Sequence, residues 1–314
     1  MTPRRPPVAG ARILPDQVRD RARPGGPGTR LLARAVDAAL HAAIDAAAVR
    51  AAEPGGLRFT ERQLYFETCR VFDPSLTLLS RIPRTARPYL RLPSFTRALD
   101  VRGRDTVPGL LPPPPEEVPA PERAGEPDLH AYGLPRLLVC QDRAIARMLL
   151  ANHVHLEAAC PVLAVADALP FDPRLTTALE RAGGATVHVL HDASPRGIAL
   201  RGQVRAALGP VPGVRVSSLG LVPRHVRAMR LPAGRGPVGT VELAELPGTL
   251  TPQETAWLAR GRFAEVAAVP PGRLVRGVLR LTRGPRVPRT SVWTGLRDLR
   301  TSGFVTWPDP TGRA

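Results

Sequence analysis

Lysine is absent from the 314-residue chain, so all 44 of its basic side chains are arginines. Acids are too few to balance them: 27 Asp and Glu leave a net charge of +17. A GC-rich genome accounts for the missing lysine, because it enriches Arg, Ala, Gly and Pro together. It can supply Asp and Glu as well, so it does not account for the surplus. Guanidinium groups grip phosphate oxygens through a planar fork of donors, and a surface rich in them favours polyanions. Cysteine is scarce too. Cys69, Cys140 and Cys160 are odd in number and show no C-x-x-C spacing, which fits neither a disulfide framework nor a cysteine-rich zinc site and points to a reducing cytoplasm. Long apolar runs are also missing. The Ala-rich stretch from Leu31 to Ala52 is interrupted by Arg34, Asp37, His41 and Asp45, so neither an export signal nor a membrane span is expected.

What is present divides the chain. A hydrophobic content of 43% is enough for real cores, while 37 Pro and 28 Gly argue that part of the chain is linker or tail. Residues 1–28 read as a disordered basic arm, followed by a small helical domain over 29–106. In that domain Leu32, Val36, Leu40, Ala43, Ile44 and Ala47 recur at helical spacing up to the stop at Pro54, Gly55 and Gly56. "FTERQLYFETCRVF" opens with a capping box, Thr60 and Gln63, and predicts a helix to about Phe72. The prolines of "RIPRTARPYLRLPSFTRALDVRGR" suggest short elements and a basic loop or wing. Residues 107–130 form a Pro-rich linker of semi-rigid polyproline character.

From 131 to 265 the texture is α/β. "PRLLVCQ", "CPVLAVA", "ATVHVL" and "VRVSSLGL" read as buried strands separated by helices, which predicts a mostly parallel sheet with flanking helices. Thr251, Pro252 and Glu254 mark the start of a further helix. Residues 266–314 read as a basic C-terminal strand and tail, with "GRLVRGVLRLTRGPRVPRT" taken as one exposed strand and then a loop.

Three of these stretches, in this order, resemble the topoisomerase VI A subunit family. "TERQLYFETCRVF" is similar to its tyrosine-bearing helix, "LLVCQDRAIARML" to its first Toprim strand, and "HDASPRG" to its Asp-x-Asp-Pro-x-Gly turn. "LGLVPRHVRAMRLP" and "ELPGTLTPQE" resemble segments beyond that turn, so the likeness spans about Leu57 to Trp257 with the linker as an interruption. It implies a winged-helix-like domain followed by a Toprim-like domain that binds magnesium. The chain departs from the family where the chemistry lies. Phe66 occupies the nucleophile position and has no oxygen to attack a phosphodiester. Tyr65 is one residue along the helix, turned by roughly 100°. The family's metal-binding carboxylates correspond here to Gln141, Asp192 and Ser194, and Asp142 could assist only if the chain turns at Gln141.

The expected function is therefore nucleic-acid binding, DNA in the first instance, by a nucleoid-associated protein without the family's cleavage chemistry. Arg81, Arg84, Arg87, Arg91, Arg102, Arg104, Arg196, Arg224, Arg276, Arg280, Arg283 and Arg286 are the candidate phosphate contacts. The alternatives are a magnesium-dependent nuclease or nickase using Asp142 and Asp192, with Tyr65 if active, and a protein-only scaffold docking through the polyproline strip. Family analogy adds a topoisomerase VI B-like ATPase, an SMC-type complex or a second copy of the chain as partners. His191, Asp192 and Ser194 are too close in sequence to converge as a hydrolase triad, so Asp192 or Ser194 is expected to cap the following helix. His153, His155 and Cys160 lack a fourth zinc ligand.

Overall fold

The structure is a computed structural model that describes residues 27–72, 90–113, 133–237 and 246–283, and among these described residues three α-helices precede the sheet. α1 (Pro27–Ala51) buries Leu40, Ala43, Ile44 and Ala47, four of the positions its helical spacing singles out, together with Ala51, while Val36 is half-buried. α2 (Glu61–Phe72) begins with the expected capping box: the Gln63 N–H donates to Thr60 Oγ1 at 3.1 Å and the Thr60 N–H donates to Gln63 Oε1 at 2.9 Å. In the stretch expected to hold short elements and a loop, residues 81–89 lie outside the described residues and α3 (Leu92–Arg102) is a short element. Pro93 falls in its first turn, where a missing N–H breaks no intrahelical bond, so the proline starts the helix.

The α/β part then runs β1 (Arg136–Cys140), α4 (Arg143–Ala151), α5 (Val154–Ala158), β2 (Val162–Ala164), α6 (Val165–Ala168), α7 (Pro173–Arg181), β3 (Thr186–Leu190), α8 (Pro195–Leu208), β4 (Arg215–Ser218) and α9 (Pro223–Met229). All four expected strands join one parallel sheet in the order β2-β1-β3-β4. Both faces of β1 and β3 are covered, which is why these two strands are mostly apolar, while β4 at the sheet edge carries Arg215, Ser217 and Ser218. Leu137 and Val139 of β1, with Val187 and Val189 of β3, pack beneath α7 and α8 against Leu175, Leu179, Leu200 and Val204. Leu138 and Cys140 point the other way, toward Ile145, Met148 and Leu149 of α4.

That second core continues without a break into the N-terminal helices, taking in Ile44, Phe59, Leu64, Phe66 and Phe95. Helix α2 is consequently buried over nearly its whole length, from Gln63 to Cys69. The beginning of the Pro-rich stretch belongs to the same packing. Val107 is buried, and Leu111 donates its N–H to the Phe59 carbonyl at 2.9 Å. Residues 114–130 of the linker lie outside the described residues.

After the sheet come β5 (Gly234–Arg235), α10 (Pro252–Ala259), β6 (Arg262–Phe263) and α11 (Pro271–Arg283). α10 starts on the expected box, with the Glu254 N–H donating to Thr251 Oγ1 at 3.3 Å and the Thr251 N–H to Glu254 Oε2 at 2.9 Å. The C-terminal strand expected from 266 onward is a correction: residues 271–283 form a helix. Leu274, Val275, Val278 and Thr282 are buried along one side while Arg273, Arg276 and Arg280 are exposed, a 3–4 spacing that suits a helix and no strand. Among the described residues no helix is long and apolar enough to cross a membrane.

Candidate functional site

In the order β2-β1-β3-β4 the chain leaves β1 toward a neighbour on one side and returns in β3 on the other. The crevice beyond the carboxyl ends of β1 and β3 is therefore the topological switch point, where open α/β sheets take their ligands. Gln141 follows β1 and Asp192 follows β3, and they meet there: the Asp192 N–H donates to Gln141 Oε1 at 2.9 Å. Gly197 closes the floor. A Cβ at that position would lie 2.5 Å from the Asp192 carbonyl oxygen, 2.8 Å from Gln141 Oε1 and 3.0 Å from Ser194 Oγ, so only glycine lets α8 approach the turn this closely.

The polar groups of this crevice are occupied with one another. Asp192 Oδ1 accepts from the Val266 N–H at 2.6 Å, and Ala193 pairs with Ala264 as an antiparallel bridge. Ser194 caps α8, accepting from the Gly197 N–H at 3.0 Å, with Pro195 in the first turn. Asp142 is exposed and caps α4, accepting from the Ala144 N–H at 2.7 Å. The turn at Gln141 does occur, but it delivers Asp142 to the helix start. A second carboxylate that the sequence pattern did not single out, Glu265, is nearby and held by Arg62 through Nε to Oε2 at 2.6 Å and Nη2 to Oε1 at 2.5 Å. Burial pushes Asp192 up to about 7, and the charges of Glu265 and Asp142 push the same way.

Magnesium demands several hard, ionised oxygens. Here the Gln141 amide oxygen serves a backbone N–H, burial disfavours the ionised form of Asp192, Asp142 is a helix cap, and Glu265 is held by Arg62. These residues do not fit the ion. Among the described residues no group of three His, Cys, Asp or Glu side chains could hold a metal, which includes His153, His155 and Cys160.

The aromatic pair of α2 is packed. Tyr65 and Phe66 are each 4% exposed, and the Tyr65 O–H donates to the Leu90 carbonyl at 2.7 Å. Burial holds the phenol far above its ordinary value. The Arg62 guanidinium lies 5.3 Å from the centroids of both rings while it grips Glu265, so this patch is a structural cluster of one cation, one carboxylate and two rings.

The candidate phosphate contacts separate into two kinds. Arg102 pairs with Asp45, Arg104 with Glu61 and Asp100, and Arg224 with the buried Glu254 at 3.3 Å. Arg91 flanks the start of α3, and Arg196 is exposed in the first turn of α8. Arg276 and Arg280 are exposed along α11, joined by Arg273, and no carboxylate pairs with these three among the described residues. Arg81, Arg84, Arg87 and Arg286 lie outside the described residues, as does the side chain of Arg283.

Helix α11 also walls a groove of about 800 Å³ whose floor is formed by Leu190 and the Ser218–Leu221 turn and whose far side is His225, Ala228 and Met229 of α9. Where the strand ends β3 and β4 adjoin, His191 Nε2 lies 2.7 Å from Ser218 Oγ and His191 Nδ1 lies 2.9 Å from the Asp192 carbonyl oxygen. His191 and Ser194 thus go separate ways, as their adjacency in sequence requires. The serine that reaches the imidazole comes from β4. No family model, curated protein or solved structure matches this chain.

Proposed function

We propose that the chain binds nucleic acid through the arginine face of α11 and does not cleave it by the tyrosine and magnesium route of the topoisomerase VI A family it resembles. The observation that carries the reading is the stripe Arg273, Arg276 and Arg280. These side chains are exposed, share one face of a helix, and have no carboxylate to neutralise them among the described residues. Their rise along the axis is roughly 4.5 Å and 6 Å, so all three can reach successive phosphates of one strand. The surplus of +17 charges supplies a long-range attraction for the same polyanion. Under this reading the parallel sheet is a Toprim-like scaffold and the N-terminal helices a winged-helix-like unit. The crevice at Asp192 is a structural joint.

The test is fluorescence anisotropy with labelled single- and double-stranded oligonucleotides. The triple variant Arg273→Gln, Arg276→Gln, Arg280→Gln is expected to lose affinity by roughly tenfold or more at physiological salt, without a change in fold. An unchanged isotherm overturns the assignment of this helix as the contact surface.

A further inference from the structure

A cavity of about 180 Å³ opens beside β4, lined by Ile198, Val222, Pro247 and Leu250 on its apolar walls and by His191, Ser218, Arg201, Arg224 and His225. No acid lines it. Its volume is below the roughly 300 Å³ of drug-sized pockets, which limits an occupant to a small molecule.

The hydrogen bonds around His191 fix its tautomer. A backbone carbonyl cannot donate, so the bond between Nδ1 and the Asp192 oxygen at 2.9 Å requires the proton on Nδ1. Nε2 is then a bare acceptor, and at 2.7 Å it takes the hydrogen of the Ser218 hydroxyl. This is the arrangement that activates a serine: a base on the hydroxyl, and a third group that orients the base through its other nitrogen. The ring is only 1% exposed, and burial disfavours its charged form. Gly220 clamps it, since a Cβ there would lie 2.4 Å from the ring atoms Cδ2 and Cγ. Ser218 itself is exposed, at the mouth shared by the cavity and the groove. The two residues are 27 apart in sequence and are brought together because β3 and β4 are neighbours in the sheet.

We infer that Ser218 and His191 form a nucleophile and general-base pair that hydrolyses small esters carrying an anionic group. Ser218 Oγ attacks the ester carbonyl carbon as its proton passes to His191 Nε2. The tetrahedral adduct then expels the alcohol, which takes that proton, and leaves an acyl group on Ser218. Water repeats the sequence: His191 accepts its proton, the new C–O bond forms, and the bond to Ser218 Oγ breaks as the proton returns to it, releasing the acid. Arg201, anchored by its Nε to the Val216 carbonyl at 3.2 Å, supplies the positive charge for the anionic group, while Arg224 on the same wall is paired with Glu254. Asp192, through its carbonyl, and Gly220 are positioning residues.

The experiment uses the full chain. Diisopropyl fluorophosphate is expected to modify Ser218, located by peptide mass spectrometry, and hydrolysis of p-nitrophenyl hemisuccinate is expected to fall roughly a hundredfold or more in Ser218→Ala and His191→Gln. Because Ser218 is exposed, Ser218→Ala keeps the fold, and an unchanged melting curve verifies this. Arg201→Gln is expected to remove the preference for the hemisuccinate over p-nitrophenyl acetate. A folded wild-type chain with no adduct on Ser218, or ester hydrolysis that survives Ser218→Ala, overturns the inference.

Discussion

His191 and Asp192 are neighbours at the carboxyl end of β3, yet the two sides of that strand end have little in common. On the Asp192 side, the 264–266 segment closes over the switch-point crevice, and Gln141, Asp192, Ser194 and Gly197 satisfy one another's hydrogen bonds. On the His191 side the imidazole meets a single exposed hydroxyl, and beyond it lie a cavity and a groove with arginines on their walls. A polar residue at a strand end is therefore not a site by position alone. What matters is whether the surrounding chain has already used its donors and acceptors.

Breaking the closed side should have the largest effect. Asp192 in the folded chain titrates at about 7, against an ordinary value of 3.8. Between these values the folded protein keeps a proton that the unfolded chain has released. Its contribution to stability is thus fully present below the lower value, falls as pH rises through the window, and is level above the upper one. Asp192→Asn stays neutral and still accepts from Val266, so it should be more stable than the parent at about pH 8 by roughly 2–4 kcal/mol and no more stable at about pH 4. Denaturant titrations at the two pH values measure the difference. Parallel pH profiles would mean that the crevice is not closed to water.

Two glycines of α8 sharpen the same contrast. Gly197→Ala drives a methyl group into the Asp192 carbonyl and is expected to cost about 1–3 kcal/mol by thermal or denaturant unfolding. Gly202→Ala, with nothing within 4 Å of its new Cβ, should stabilise by about 0.5–1 kcal/mol. Equal effects would remove the claim that the turn and helix are in enforced contact. The smallest effect is expected from an arginine that is already paired. Arg102→Gln, which frees Asp45, should change oligonucleotide affinity by less than about twofold, because its charge is answered within the protein.

The centre of the sheet was legible in the sequence because β1 and β3 are short, mostly apolar runs that lead into a helix cap. Asp142, Asp172, Ser194 and Thr251 all cap the helices that follow them. The packed role of Tyr65 was legible from its place beside Leu64 on an amphipathic helix. Helix α11 was misread because its arginines interrupt the apolar residues often enough to suggest alternation. The 3–4 interval between Arg273, Arg276 and Arg280 was the signal that distinguishes the two. Glu265 and Ser218 left no local trace. Glu265 reaches Arg62 across 203 residues, and Ser218 finds His191 only through the pairing of β3 with β4. Contacts of that kind are set by topology, which a spacing rule along the chain does not contain.

The central claim, that the arginine face of α11 holds a phosphate backbone, is tested most directly by the salt dependence of binding. Each phosphate contact contributes about 0.9 to the slope of log K against log salt on duplex DNA. The triple variant at Arg273, Arg276 and Arg280 should therefore show a slope shallower than the parent's by roughly 2–3. Identical slopes for the two proteins, whatever their affinities, would contradict the account.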